Sequence, residues 1–182
     1  VWAGSLASAL RERVEVVRPH LDRVAIGRQH PFLALNTAFL TDGVFLHVPE
    51  GVAVASPVQL VVVTSAGGQA SVTHPRILIV AEEQAQGTVL ERYHALGSGC
   101  YFTNAVSEVF VDQAAVFEHV RLQQEDRAAY HLGALCVAVR NALQRARWRR
   151  FIAPASLLVA AIGGMQYLPR IIGGSTPARV LV

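Results

Sequence analysis

Seven histidines (His20, His30, His47, His74, His94, His119, His131) and two cysteines (Cys100, Cys136) are the side chains that could bind a metal or act as nucleophiles. No two histidines stand at HxH, HxxH or HExxH spacing, and neither cysteine has a cysteine or histidine at ligand spacing, so no zinc site is indicated. Cys100 follows Gly97-Ser98-Gly99 at the start of an apolar run, which predicts a partly exposed thiol. Cys136 lies within the apolar run Leu132 to Val139 and reads as a buried small hydrophobe. On strand periodicity His119 shares a face with Phe117, Arg121 and Gln123, opposite Val116, Val120 and Leu122, and is expected to point outward. The other histidines read as ordinary surface or hydrogen-bonded residues.

Glu82, Glu83 and Glu91 raise the chemistry of paired carboxylates. Glu82-Glu83 precedes Gln84-Ala85-Gln86-Gly87 with no aromatic platform beside it, so it reads as a solvated turn. All sixteen basic residues are arginine, which we attribute to a G+C-rich source. Without lysine the chain can carry neither a Schiff base nor a Walker-type ATPase loop. Arg140, Arg145, Arg147, Arg149 and Arg150, with Trp148, could meet phosphates of nucleic acid or anionic lipid. Phe151 to Pro169 is a run of 19 residues without a charge, close to a membrane-spanning length. Pro154, Gly163-Gly164, Gln166 and Pro169 interrupt it, so a buried or aggregation-prone tail is the preferred reading over a membrane span.

At 182 residues the chain can bury a core, and its 52% hydrophobic content predicts a globular protein. Two distant cysteines and an N-terminus without a signal-peptide pattern suggest a reducing cytosol. The first residue is Val1, so the natural polypeptide is expected to begin further upstream. Charge is segregated. Residues 1–126 hold all thirteen acidic residues and eight arginines, whereas residues 127–182 hold eight arginines and no Asp or Glu. Globular surfaces normally intersperse the two signs.

Three segments follow. Residues 1–42 are a helical segment. An amphipathic helix is predicted over 4–18, capped by Ser5 or Ser8, with Leu6, Leu10, Val14 and Val17 on one face. Pro19 ends or kinks it, and a second helix over 31–40 starts at Pro31 and carries Phe32, Leu35 and Phe39. Asp42-Gly43 supplies a turn in which Gly43 is free to take a positive φ. Residues 43–139 contain short apolar or alternating runs at 44–48, 58–64, 76–81, 88–93, 100–103, 108–111, 115–123 and 129–139, separated by Gly, Pro, Ser and Asn. These imply an all-β body, and a sandwich, a barrel and a β-solenoid all satisfy them. Residues 140–182 are a basic and then apolar tail.

The literal strings are more specific than the periodicity. Residues 32–51, Phe-Leu-Ala-Leu-Asn-Thr-Ala-Phe-Leu-Thr-Asp-Gly-Val-Phe-Leu-His-Val-Pro-Glu-Gly, resemble the "ALN.AF..DG..+.VP.G" signature of the SufB/SufD family of iron–sulfur cluster assembly proteins, closer to the SufD branch. Pro75 to Val80 resembles the family's "PR.L" strand, Glu91-Arg92-Tyr93 its "E.Y" step, and Thr103 to Glu108 its "TN.V.E" segment. Glu118 to Gln123 stands where the family has a "+Y+KLQ"-like strand, with His119 for the aromatic and Arg121 for the lysine. The resemblance covers roughly residues 4–139 and implies a right-handed parallel β-helix preceded by short helices.

It also implies a non-enzymatic, cytoplasmic scaffold of SufD type, working with SufB-like and SufC-like subunits. The iron–sulfur cluster and ATP would belong to those partners, and no membrane or nucleic acid is expected. The cysteine and histidine implicated in cluster building lie late in the family's β-helix. No residue here matches their motifs, so no catalytic, cofactor-binding or metal-ligating residue is assigned. After about residue 139 the match fades, and the family's "DV..SHGAT" segment and C-terminal helical region are missing. The expectation is a shortened chain whose last part is divergent or read in a shifted frame. The rival reading is a membrane- or nucleic-acid-associated β-domain acting through residues 140–182.

Overall fold

The computed structural model describes residues 1–25, 30–65, 70–140 and 178–181. The short apolar and alternating runs become rungs of a parallel β-helix. On one side β2 (Val44–Val48), β5 (Arg76–Ala81), β7 (Tyr101–Val111) and β9 (Tyr130–Val139) stack in parallel. On the other side β3 (Val58–Ser65), β6 (Gln86–Leu96) and β8 (Val116–Gln124) do the same. Each strand therefore pairs with its counterpart one coil away, and equivalent side chains fall into columns. Val44, Ile77, Ser107 and Leu135 form one column, and Val58, Val89 and His119 another.

Leu46, Val48, Leu60, Ile77, Ile79, Val89, Val109, Val111 and Phe117 fill the space between the two sheets, the lumen, with Leu135 and Val137 packed against them. Branched aliphatic residues suit strands that meet apolar neighbours in successive coils. The tight corners beside this apolar region also stack. Gly51, Gln84 and Ala114 share a left-handed conformation (φ of 69°, 60° and 56°). Gly51 N donates to Glu83 O at 2.9 Å, and Gln84 N to Gln113 O at 2.9 Å.

Several elements depart from the sequence-based expectation. The runs at 100–103 and 108–111 form one strand, β7, because the intervening Asn104 and Ser107 are buried and hydrogen-bonded. A short strand, β4 (Ser71–Thr73), precedes β5 and pairs with the first part of β7. His74-Pro75 separates the two, since proline has no amide to donate to a ladder, while Pro75 O still accepts from Val106 N at 3.0 Å. The N-terminus starts as a strand, β1 (Trp2–Ser5), antiparallel to β2. At the other end, β10 (Ala178–Leu181) runs antiparallel along β8.

The predicted helix over 4–18 is two helices, α1 (Leu6–Glu12) and α2 (Val14–Val17), divided at Arg13. Ser5 caps α1, its Oγ accepting from Ser8 N at 3.1 Å. The Asp42 carboxylate accepts from Ser5 Oγ and from Ala7 N at 2.8 Å. Gly43 is needed for a different reason from the one expected. Its φ is not positive, but a Cβ there would lie 2.3 Å from Arg76 O. Helix α3 (Pro31–Ala38) begins at Pro31, yet its buried residue is Asn36, while Phe32 and Phe39 are exposed. Ser5→Ala removes the α1 cap and should lower stability by about 1 kcal/mol in chemical denaturation.

The helices cover the outer face of the first sheet. Leu6, Ala9 and Val17 pack with Phe45, Leu78 and Val80. Among the described residues no helix is long and apolar enough to cross a membrane.

Candidate functional site

Away from the tight corners the lumen turns polar. Glu91 on β6 stands between His119 and Arg121 of β8 and Ser107 of β7, with Tyr93 two residues along its own strand. Glu91 is fully buried. Its Oε1 accepts from Tyr93 Oη at 2.6 Å and lies 2.9 Å from Arg121 Nε, while Oε2 accepts from Ser107 Oγ at 2.9 Å and contacts His119 Nε2 at 2.7 Å. Arg121 Nη2 also donates to Ser107 Oγ at 3.1 Å. One coil on, His131 Nδ1 faces Glu125 Oε2 at 2.7 Å, and Thr103 Oγ1 donates to Glu125 Oε1 at 3.1 Å. The Tyr93 and His131 rings meet edge to face, 4.6 Å between centroids.

Burial alone would raise the Glu91 carboxyl. The His119 hydrogen bond, the Arg121 and His119 charges and the Tyr93 hydroxyl outweigh it and bring the group from 4.5 down to about 2. Tyr93 moves the opposite way, well above its usual value, through burial and then the adjacent Glu91 charge. Burial would lower Arg121, but the Glu91 charge more than compensates and raises it.

Because the folded-state value of Glu91 is depressed, its contribution to stability is complete above pH 4.5 and is lost as pH falls towards about 2. The expected loss is about 3 kcal/mol across that window. Chemical denaturation at stepped pH should show it, and the Glu91→Gln variant should show a correspondingly shallower acid slope.

This arrangement corrects the outward placement of His119. It is 3% exposed and faces the lumen, because the row Phe117, His119, Arg121 is the inner one. A charged partner on the next coil makes an inward imidazole and guanidinium tolerable. His47 is buried as well, with Nε2 2.9 Å from Glu82 Oε1. Glu82 also accepts from Glu50 N at 3.0 Å, so it serves the turn.

Cys100 is exposed, and both thiols are free. Cys136 is half-buried, less than expected, and burial followed by the nearby Glu108 charge raises its thiol. Among the described residues no group of three or more His, Cys, Asp or Glu is placed to hold a metal ion. The Arg140–Arg150 stretch and the apolar tail lie outside the described residues, apart from Arg140 itself.

A second buried polar cluster lies on the outer face of the first sheet and had no place in the search for chemistry. Glu108 of β7 accepts from the backbone N–H groups of Asp22, Arg23, Val24 and Ala25 at 3.0–3.2 Å. It also pairs with Arg76 of β5, both side chains being fully buried. Arg76 Nη1 donates to Asn36 Oδ1 at 3.1 Å, and Asn36 Nδ2 donates to Pro75 O and Asn104 O. The signal was available: Asn36, Arg76, Asn104 and Glu108 all sit within the quoted strings.

These two clusters account for most of the polar residues in those strings, and the strings match described families. The profile of the SUF system FeS cluster assembly SufBD core domain matches residues 62–151, and that of the SufBD protein N-terminal region matches residues 1–60. The chain belongs to the SufB/SufD family. It is 31% identical over 115 residues to an iron–sulfur cluster assembly SufBD family protein of Synechocystis, covering 59% of this chain and 25% of that one. It is 34% identical over 115 residues to the iron–sulfur cluster assembly protein SufD of Bacillus subtilis, covering 61% and 26% respectively. With SufB of the same organism the identity is 29% over 133 residues, covering 69% and 27%.

The chain thus spans about a quarter of the length of these relatives. The relatives it matches carry the name of iron–sulfur cluster assembly proteins. The core-domain match runs to residue 151, beyond the point near 139 where the quoted motifs fade. The reading-frame expectation concerns residues 140–182, which, apart from Arg140 and residues 178–181, lie outside the described residues.

Proposed function

We propose that this chain is a SufD-type scaffold subunit, without enzymatic activity of its own, that works in the cytoplasm with SufB-like and SufC-like subunits. The observation that carries the proposal is the combined family match, supported by the somewhat higher identity to SufD than to SufB of one organism, 34% against 29%. The fold suits a mechanical part. Backbone ladders running from coil to coil, with a lumen filled by packed aliphatic and ion-paired side chains, make a stiff element. Such an element passes on a displacement applied at one end without absorbing it. ATP hydrolysis falls to the SufC-like subunit, since this chain has no lysine for a Walker-type loop. The cluster is cargo built at the partner subunits.

The test is co-expression of the tagged 182-residue chain with SufB- and SufC-type subunits. The three should co-elute on size exclusion at the mass of a complex. Elution of the chain at its own size while the other two elute together would overturn the proposal.

A further inference from the structure

Helix α3 is held at Phe32 by both backbone groups of that residue, and each hold ends on a histidine. Phe32 N donates to Nδ1 of His30, the N-cap, at 3.3 Å. Phe32 O accepts from Asn104 Nδ2 at 2.9 Å, and the same Nδ2 donates to His74 Nδ1 at 3.2 Å. His74 lies between β4 and β5. Its ring stacks on Phe39 at the other end of the helix, 5.2 Å between centroids.

The donors decide the state of both rings. A backbone N–H can only donate, so His30 Nδ1 accepts and carries no proton. Asn104 turns its NH2 to a carbonyl oxygen, which can only accept, so the group that meets His74 Nδ1 is a donor too. Neutral His74 therefore has its hydrogen on Nε2. Protonation of Nδ1 on either ring removes an acceptor and sets N–H against N–H. On His30 it also places a positive charge at the positive end of the helix dipole.

We propose that these two imidazoles form a proton-operated clasp: unprotonated they fix the first turn of α3 to the β-helix, and protonated they let it go. Burial holds the His74 ring below its usual 6.5. With the folded-state value depressed, the His74 half of the clasp is fully closed above pH 6.5 and opens as pH falls below that. The charged groups around α3 are Asp22, which accepts from Thr37 Oγ1 at 3.4 Å, Arg76, which donates to Asn36 and Thr37, and Glu108, which pairs with Arg76. Asp42 lines the groove beside His74. None of these groups is a hydrogen-bond partner of the His74 ring, whose bond is to Asn104. Asn36, bonded to Pro75 O and Asn104 O, does not titrate, so the C-terminal half of the helix stays docked.

The test uses the full 182-residue chain. Histidine ring nitrogens, the Asn104 side-chain amide and the backbone amides are followed by NMR from about pH 8 to about pH 5. At the upper limit His74 should show the tautomer with its hydrogen on Nε2. As it titrates, the Asn104 NH2 resonances should shift with the same midpoint. Protection of amides 32–34, corrected for the intrinsic exchange rate, should fall about tenfold relative to β6 and β8.

His30→Asn with His74→Asn puts an amide oxygen, which does not titrate, where each Nδ1 stood, and Asn also caps helices well. In that double variant amides 32–34 should keep the same protection at both ends of the range. If it does not fold, the midpoints of the unsubstituted chain decide. A His74 hydrogen on Nδ1 at neutral pH, or first-turn protection that does not follow the His74 titration, overturns the clasp. So does a folded double variant that loosens in acid as the unsubstituted chain does.

Discussion

Glu91→Gln lowers the free energy of unfolding by about 3–5 kcal/mol, measured by chemical denaturation at neutral pH. The change keeps the volume of the side chain but removes its charge and replaces one acceptor oxygen with an NH2 donor. Four groups converge on that carboxylate: Tyr93 Oη, Ser107 Oγ, His119 Nε2 and the Arg121 guanidinium. Hydroxyls can rotate to suit an amide. A guanidinium cannot lose its proton, and it would sit beside a neutral group in a site with little access to water. Breaking one side of a buried pair costs more than the pair ever contributed, because the remaining charge is left unpaired. A double variant, Glu91→Met with Arg121→Met, should therefore recover a measurable part of the loss. A single-variant loss below about 1 kcal/mol would mean that water already solvates the cluster.

The network also explains how a stack of near-identical rungs settles on one register. An apolar lumen of Val, Leu and Ile tolerates sliding by two residues, since one aliphatic side chain replaces another. A slip of one residue on β8 would carry His119 and Arg121 outside and strand Glu91 alone. Sliding β6 past β7 would separate Glu91 from Ser107, 2.9 Å away. Polar specificity of this kind defines relative coil positions that hydrophobic packing leaves soft. For a part proposed to transmit displacement, fixed coil positions matter as much as stability.

The sequence showed the backbone more readily than the lumen. Runs such as Val44–Val48 and Arg76–Ala81 are short and mostly apolar and start directly after Gly43 and Pro75, so their strands fell where the pattern placed them. Runs at 100–103 and 108–111 looked separate because Asn104 and Ser107 break the apolar pattern, although both are buried in one continuous strand. His119 was misplaced by the same rule. Periodicity identifies two faces but assigns the inner one by counting apolar residues, and on β8 the inner row is Phe117, His119 and Arg121. Their charge partner, Glu91, lies 28 residues from His119 along the chain, and only the coil repeat brings them together. The Glu108 cluster was hidden for a related reason: four of its donors are backbone amides, which leave no trace in residue identity. Gly43 was read through conformational freedom when the operative constraint was a carbonyl 2.3 Å from its missing Cβ. The strings that resemble the family contained Asn36, Arg76, Glu91, Asn104 and Glu108, so those strings record a buried polar architecture more than a surface site.

Glu108→Gln should release the N-terminal segment from the β-helix while leaving the coils paired. The Glu108 carboxylate gathers the amides of Asp22 to Ala25 at 3.0–3.2 Å and the Arg76 guanidinium in a fully buried setting. An amide in its place can accept at one oxygen only, and its NH2 would face backbone donors. Arg76 would keep Asn36 Oδ1 at 3.1 Å and Asp22 Oδ1 at 3.3 Å, too little to balance a buried cation. The expected cost is about 3–5 kcal/mol, similar to Glu91→Gln, but its distribution along the chain should differ. Residues 22–25 tie α1 and α2 to the sheet face formed by Phe45, Leu78 and Val80, so local opening there should precede global unfolding. Hydrogen exchange should quicken at amides 22–25 and across α1, with β6 and β8 keeping their protection in dilute denaturant. In Glu91→Gln the order reverses: β6 and β8 should lose protection first, and amides 22–25 should keep theirs. Uniform loss of protection in both variants would show that helices and coils unfold as a single unit, and would refute the separation of the outer latch from the lumenal network.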